Sequence, residues 1–585
     1  MTARRQPWWV WLLAWVGTLC GFGLVAHGNL ESTDSVVTMH AARVLWQHGD
    51  SGLRREDQGG ELLGERIAAE LIPSRGALGK VGVDGRVYVW FPVGHVWLLA
   101  PLTGLGERLE AAFPDVDRRW REIAAPGADA AHLRFANGYV TSHPVLMQGL
   151  IALLLPPACA ACGALLLFLL ARTLGAAPRD AVLGTLTIAL GTQWFAFGRE
   201  TLSDGPGLCM LLAALLVAVR VHLGRASALL AVAGGLAAGA AVSLRYQNAV
   251  AVAVLLVVVA LASRRTRNWR PVVAFALGGA PFLVALLASN HARFGDLFDT
   301  GYPKVADWYT QPLWLGLAKM LFAAGRGVMW LSPVLWLLLP LAAQRQRMPL
   351  LRGVAWVLFA VPFLFFAAAK GWQGGECWGA RYVTPGVVVL AALALPQVQP
   401  WQRWPRTWTT LLAVGMFVNL TAVVAPVRGQ VQLATQAAVA EALHAGRSLD
   451  ADAAADVVSW HPRYSPLHSN WSYLVRSCVG GFEDEHGAPR HGSANTIEPL
   501  FGVAGLEPLF GANGETLPGR GYAPWRWEDR LGRHLWWRFW ADLLQVPSWL
   551  LLLPLLAVAV LAGGIGWRRL AEASGSDPAD APIGA

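Results

Sequence analysis

The sequence predicts an all-α polytopic membrane protein with about 12 transmembrane helices. Of its 585 residues, 55% are hydrophobic and only 15% are charged, and the mean hydropathy is +0.42. This composition lies outside the range of soluble globular domains. Apolar runs near the length that crosses a bilayer core of about 30 Å recur along the chain. Arginines gather in alternate loops between these runs, as expected for short cytoplasmic loops.

Twelve runs are interpreted as spans: residues 8–28, 143–171, 180–197, 203–222, 226–243, 247–263, 270–288, 328–343, 350–369, 382–396, 406–425 and 547–566. The arginine pattern places both termini in the cytoplasm and predicts a multi-pass protein of the inner (cytoplasmic) membrane. Because these loop arginines explain the net charge of +9, membrane lipids are expected partners and nucleic acid is not.

The predicted organisation has three parts. Residues 1–425 form a transmembrane module that would hold any catalytic site, and its first external loop, residues 29–142, is expected to carry membrane-surface helices. Residues 426–546 form an extracytoplasmic loop region that is expected to fold back over the outer loops. Residues 547–585 contain the last transmembrane helix and a cytoplasmic tail.

Residues 88–105 are the main ambiguity of this topology. The stretch is apolar enough to span, but it contains Pro92, Gly94, His95 and Pro101. We interpret it as lying in the membrane interface. If it crossed the membrane, every later loop would change sides.

Two isolated acids predict a site on the non-cytoplasmic side. Asp34 follows the first apolar run and Asp204 follows a later one, so the predicted orientation brings both carboxylates to the same surface. Residues 35–48 have the pattern of a helix lying on the membrane, with Ser32 or Thr33 as its N-cap. Asp34 would occupy the first turn, where the helix dipole favours the carboxylate. It could accept a proton or hold a cation there, or merely improve the helix start.

Further candidates lie in loops predicted on the same side. A glycine-punctuated turn at residues 79–88 predicts a hairpin. Basic side chains near it could grip a phosphate or sugar, and arginine beside glycine and aromatic residues suits close approach to such a ligand. For Lys80 or His95 alone, an ordinary loop charge is the better explanation, and for the arginines a side chain that merely reaches the interface is the alternative. The repeated pattern of glycine, tryptophan and arginine favours function for Arg381. The candidates for substrate binding are Lys80, Tyr88, His95, Arg245, Arg326, Arg381 and Tyr382.

The sequence does not require a metal or another cofactor, although a divalent metal is possible. The pair Cys159 and Cys162 lacks the partner ligands of a zinc site. Acids and histidines in residues 483–491 could bind a divalent ion, but a solvated acidic loop explains them better. No metal ligand is therefore assigned.

Five motifs resemble a known family: GKVGVDGRVYVWFPVGH, RETLSDGP, NHARFGDLFDTGY, GRGVMWLSPVL and GGECWGARYVTP. With an acid after the first span and a second acid after the third, the chain resembles the GT-C superfamily of integral-membrane glycosyltransferases. It is most similar to bacterial relatives of protein O-mannosyltransferase and aminoarabinose transferase. The resemblance implies a GT-C-like bundle.

The resemblance also implies that a polyprenyl-phosphate donor gives its sugar to a glycan, lipid or protein acceptor outside the cytoplasm. The family's first-loop acid, a catalytic base or metal partner, corresponds to Asp34, and Asp204 matches the second acidic position. Ser35 follows Asp34 where many relatives have another acid. This departure weakens the expectation of a metal.

A lipid-phosphate donor supplies its own leaving group, so one base and a phosphate clamp could suffice. We expect Asp34 to deprotonate the acceptor hydroxyl for an inverting attack, with Arg381 and Arg245 stabilising the departing phosphate. A transporter or lipid flippase is the main alternative, since twelve spans suit that class. The central parts of the spans carry no Asp, Glu, Lys or Arg, which argues against an ion-coupled pathway. An inactive scaffold with the same fold is the third interpretation.

Overall fold

The computed structural model describes residues 6–30, 32–53, 79–124, 144–302, 308–344, 347–369, 371–375, 377–425, 427–447, 449, 451–471 and 534–572. Within these ranges the protein is almost entirely α-helical, as the composition predicts. A two-stranded antiparallel sheet interrupts the helices. Its strands, β1 (Gly79–Val81) and β2 (Val87–Val89), form the predicted hairpin.

The helices in chain order are α1 Trp8–Gly23, α2 Thr33–His48, α3 Val93–Ala112, α4 Pro114–Ala124, α5 Val145–Thr173, α6 Pro178–Gly191, α7 Trp194–Phe197, α8 Asp204–His222, α9 Ala228–Leu244, α10 Asn248–Thr266, α11 Arg270–Phe294, α12 Leu313–Phe322, α13 Val328–Leu331, α14 Leu335–Ala343, α15 Pro349–Ala367, α16 Thr384–Val398, α17 Pro400–Arg403, α18 Pro405–Val424, α19 Val427–His444, α20 Ala451–Trp460, α21 Trp536–Leu544 and α22 Trp549–Ala571.

Each predicted span is helical, but residues 180–197 and 328–343 are each divided into two helices, and the helix lengths differ. Eight helices in the described ranges are long and apolar enough to cross a membrane: α5, α8, α10, α11, α15, α16 with its preceding turn, α18 and α22. Helices α1 and α9 are apolar but have only 16 and 17 residues. Helices α6 and α14 have 14 and 9 residues. The count of twelve crossings therefore stays a prediction.

Small residues allow close helix pairs in the bundle. A Cβ atom added at Gly17 of α1 would lie 2.0 Å from the Gly563 nitrogen of α22, and one at Gly235 of α9 would lie 1.9 Å from the Phe275 oxygen of α11. In membranes, such small residues let helix backbones approach and gain van der Waals contact. The first and last apolar helices are thus packed side by side.

Helix α2 begins as its sequence predicts, since Ser32 Oγ accepts a hydrogen bond from the Asp34 amide at 3.1 Å. Its apolar side chains, including Val37, Ala41 and Val44, are buried. They pack into a core shared with α3 and α5. The ambiguous residues 88–105 enter β2 and α3, and α3 is not among the eight membrane-crossing candidates.

Helix α20 and Ser465 after it, at the start of the predicted loop region, contact α12 and chain segments next to α13 and α15. Lys319 Nζ of α12 lies 2.7 Å from both carboxylate oxygens of Asp456 in α20. Trp372 Nε1 donates to the same carboxylate at 3.1 Å, and Ser465 Oγ donates to the Ala324 carbonyl at 2.7 Å. These contacts fix α20 against the chain segments that precede α14 and follow α15. The acidic cluster at residues 483–491 lies outside the described residues.

Candidate active site

A cavity of about 380 Å³ lies where the two acids meet. Asp34 lines it from the first turn of α2, and Asp204 lines it from the first turn of α8. A hydrogen bond of 2.8 Å from Thr201 Oγ1 to Ser35 Oγ joins the two chain segments that carry these acids. Two carboxylates that are 170 positions apart in the sequence therefore border one space.

Each acid is paired with an arginine that also lines the cavity. Asp204 forms an ion pair with Arg245, which follows α9, and their side chains are only 3% and 7% exposed. Asp34 Oδ2 lies 3.5 Å from Arg381 Nη2, and the Asp34 side chain is 29% exposed. Asp34 is thus the carboxylate that a substrate can reach, whereas Asp204 is buried against its partner.

Tyr382 lies beside both guanidinium groups. The Cζ atoms of Arg245 and Arg381 are 5.6 Å and 5.1 Å from the centre of its ring, within the range of cation–π attraction. Phe366 of α15 stacks on the same ring at 4.2 Å. Gly374 has a φ of +77°, and a Cβ atom there would lie 2.7 Å from Arg381 Cγ. The glycine-rich loop therefore lets Arg381 come close.

His95 lines the cavity from the first turn of α3 and is 2% exposed. Burial lowers the pKa of this imidazole to about 4, so it is uncharged near neutral pH. A neutral imidazole can form a hydrogen bond with a sugar, but it offers no charge to a phosphate. The environment of His95 therefore suits a sugar better than a phosphate.

An aromatic wall of the cavity went unrecognised in the sequence. Tyr302 stacks on Trp90 with their ring centres 6.0 Å apart and lies edge-on to Tyr246 at 6.1 Å. Tyr302 and Tyr246 line the cavity together with Phe91 and Trp308. Tyr302 lies in one of the five motifs, but the sequence does not distinguish its ring from the many aromatic residues that favour membrane interfaces.

Three of the candidates for substrate binding do not line this cavity. Lys80 forms an ion pair with Asp299. Tyr88 donates its hydroxyl hydrogen to Asp84 Oδ2 at 2.7 Å. Each therefore has a protein partner in the loops around the cavity.

Arg326 is the third of these candidates. Its Nη1 atom donates to the carbonyls of Gln373 at 2.8 Å and Cys377 at 2.9 Å. It is also buried, at 3% exposure. Arg326 therefore holds the loop that leads to Arg381 and is not itself at the cavity.

The described residues contain no group of three or more His, Cys, Asp or Glu side chains placed to hold a metal. The cavity contributes Asp34 and Asp204, and an arginine opposes each of them. Their charge is already balanced, so this arrangement does not fit a divalent ion.

No protein-family model matches this chain, and no curated protein matches it. The fold is similar to that of two solved structures. Both are ArnT. They are crystal structures of the protein from Cupriavidus metallidurans, one bound to undecaprenyl phosphate and one in the apo state. They share 14% and 15% sequence identity with this chain, with TM-scores of 0.43 and 0.41. The alignments cover 96% and 97% of this chain and 76% and 77% of the ArnT chains.

Proposed function

We propose that this chain is a membrane glycosyltransferase that moves a sugar from a polyprenyl-phosphate donor to an acceptor hydroxyl. The observation that carries the proposal is the accessible carboxylate of Asp34 in one cavity with Arg381 and Arg245. Transfer from a lipid phosphate needs a base for the acceptor and positive charge for the leaving phosphate. The cavity supplies both in the same space.

In the proposed reaction, the acceptor oxygen attacks the anomeric carbon while its proton passes to the Asp34 carboxylate. The bond between that carbon and the phosphate oxygen breaks, and polyprenyl phosphate leaves with the bonding electrons. Arg381 and Arg245 stabilise the negative charge of the leaving phosphate. Attack from the side opposite the phosphate inverts the anomeric configuration.

The ion pair between Asp34 and Arg381 also suggests how the base becomes available. Asp34 and a donor phosphate would compete for Arg381, whose Nη2 atom lies 3.5 Å from Asp34 Oδ2. A phosphate that takes the arginine weakens the stabilisation of the carboxylate and makes it a stronger base. Donor binding would thereby prepare Asp34 for the acceptor.

The walls of the cavity support a donor carried on a lipid. Val250 of α10 and Phe365 of α15 line it and are 44% and 47% exposed on the bundle surface. Both helices are long and apolar enough to cross a membrane. A cavity rim between two such helices would admit a lipid-linked substrate from the bilayer.

The test is sugar transfer by the purified protein in liposomes. Polyprenyl phosphates carrying radiolabelled sugars are the donors, and a cell-envelope extract supplies the acceptor. Asp34→Asn is expected to reduce transfer by at least about 100-fold, since the variant lacks the general base. The matched control is Asp115→Asn, because Asp115 also lies in a helix's first turn but is 78% exposed and outside the cavity. Unchanged transfer by Asp34→Asn would exclude it as the base, and lipid movement without transfer would favour a flippase.

A further inference from the structure

His95 has a buried polar atom with no partner in the part of the chain that the structure describes. The Nε2 atom has no hydrogen-bond partner among the described residues, although the side chain lines the cavity. Buried polar atoms in folded proteins nearly always have a partner. Because the side chain that carries this nitrogen lines the cavity, we take a ligand bound there as the missing partner.

The position of His95 is fixed by close packing of the helix that carries it. A Cβ atom added at Gly94 would lie 2.5 Å from the carbonyl oxygen of Ser243, near the end of α9. The first turn of α3 therefore rests on the backbone just before Arg245. This contact holds the imidazole in the same part of the wall as one arginine of the phosphate clamp.

The surroundings keep the imidazole uncharged. Burial lowers its pKa to about 4, and the N-terminus of α3 also disfavours a positive charge. The acids that line the cavity with it, Asp34 and Asp204, are each paired with an arginine, Arg381 and Arg245. Neither acid is thus free to stabilise an imidazolium ion.

Helices α2, α4, α5, α9 and α11 pack against α3. The charged side chains of α4 follow the C-terminal end of α3, and Arg293 in the last turn of α11 donates to Asn290 Oδ1 at 2.9 Å. Helix α9 contains no Asp, Glu, Lys or Arg, and the arginine of α5, Arg172, lies in its last turn. On α2, Arg43 pairs with Glu107, twelve residues further along α3. The other ionisable side chains that line the cavity are the phenols of Tyr246, Tyr302, Tyr309 and Tyr382.

We propose that His95 is a specificity-determining residue whose uncharged imidazole hydrogen-bonds a hydroxyl group of the donor's sugar. A sugar hydroxyl both donates and accepts hydrogen bonds, so it can pair with the imidazole in either tautomer. The phosphate, in contrast, is best held by the two arginines. This inference rests on the proposed function and adds which group recognises the sugar.

The experiment compares binding of two kinds of probe to the purified protein in detergent. Undecaprenyl phosphate carries no sugar, and decaprenyl phosphates linked to mannose, glucose or arabinose do. Affinities are measured for the wild type, His95→Phe and His95→Gln. His40→Gln is the matched control, because His40 is equally buried, at 3% exposure, but does not line the cavity. Thermal unfolding of each variant confirms that it is folded.

His95→Phe is expected to bind the preferred sugar-linked probe about 10-fold more weakly, the usual effect of losing one hydrogen bond. Its affinity for undecaprenyl phosphate should change by less than about 2-fold, because the arginines are intact. His95→Gln should retain most of the sugar-dependent affinity, since its amide can replace the imidazole. His40→Gln should leave both affinities unchanged.

Three results would overturn the inference. An equal loss of affinity for the sugar-linked and the sugar-free probes would show that His95 stabilises the fold or binds the phosphate. Unchanged binding of both, with slower transfer in the liposome assay, would place the hydroxyl on the acceptor. If the wild-type protein binds none of the probes, the proposed function is contradicted as well. This result is distinguishable from a failure of the His95 inference alone, because it is seen without any variant.

Charge is tested separately by varying the pH. The ratio of wild-type to His95→Gln affinity for undecaprenyl phosphate should stay constant between about pH 5.5 and 7.5, because the imidazole is uncharged throughout. The phosphate of the lipid titrates in the same way in both measurements. The ratio of the two affinities therefore reports only the effect of His95. A rise in the ratio at about pH 5.5 would identify a cationic histidine and contradict the proposal.

Discussion

Asp34 and Asp204 show how two similar ion pairs can have different uses. Both acids lie in the first turn of a helix and both face an arginine. Asp34 keeps 29% of its side chain exposed, whereas Asp204 keeps 3%. Accessibility makes Asp34 suitable as a base. Burial makes Asp204 suitable for holding Arg245 in place.

The buried pair yields a prediction about stability. Asp204→Asn leaves the charge of Arg245 buried without its counter-ion, and breaking such a pair costs about 3–5 kcal/mol. We expect a clear fall in the melting temperature, measured by thermal unfolding in detergent. Asp34→Asn, which removes the more exposed pair, should cost at most about 1 kcal/mol.

A double variant separates stability from activity at this pair. Asp204→Leu with Arg245→Met should recover much of the lost stability, because apolar side chains can replace a buried ion pair. It should not recover transfer, since the phosphate clamp has lost an arginine. Equal and small effects of Asp34→Asn and Asp204→Asn on the melting temperature would contradict this division of roles.

The sequence could identify charged candidates, but it could not tell which of them had protein partners. Arg381 and Lys80 both lie in glycine-containing loops, and only Arg381 reaches the cavity. Lys80 instead pairs with Asp299, which is 219 positions away. Such a distant pairing depends on the packing of the bundle. It therefore leaves no local pattern in the sequence.

At the scale of elements, local sequence signals could predict where a helix begins. They could not predict which distant helices would bury its side chains. The start of α2 could be predicted because Ser32 caps it through a bond to a residue two positions away. Burial of Val37 and Val44 depends on α3, which is distant in the sequence. The run predicted at residues 328–343 is divided into α13 and α14. Pro333 lies in the break, and a proline disfavours helical geometry in the residue before it, here Ser332.

The close packing of α1 against α22 predicts that a larger residue at their contact lowers stability. Gly17→Ala places a Cβ atom where Gly563 backbone atoms lie at 2.0–2.1 Å, so the helices must separate and lose contact. We expect lower thermal stability and a smaller yield of folded protein. The matched control is Gly21→Ala in the same helix, where a Cβ atom meets nothing within 4 Å. A larger loss from Gly21→Ala would contradict the packing.

At the scale of the whole molecule, the shared cavity bears on the topology. Asp34 follows α1 and Asp204 begins α8, and both line the cavity together with Arg245 at the end of α9. This arrangement agrees with an even number of crossings between the two acids. It is what the arginine pattern predicts if α3 does not cross the membrane.

The side of the membrane can be tested with single cysteines in a variant lacking the six native ones. A membrane-impermeant maleimide added to intact cells should label a cysteine at Arg463, which lies in the predicted extracytoplasmic region and is 41% exposed. It should not label one at Arg267, which is exposed in a predicted cytoplasmic loop. Labelling of Arg267→Cys from outside would reverse the predicted orientation.

The central claim is that the cavity binds a lipid phosphate between Arg245 and Arg381 while Asp34 becomes free to act as a base. Electron cryomicroscopy of the protein with undecaprenyl phosphate tests this most directly. We expect phosphate density within hydrogen-bond distance, about 3 Å, of both guanidinium groups, with Asp34 no longer paired to Arg381. Phosphate density elsewhere, with both arginines still paired to their aspartates, would contradict the claim.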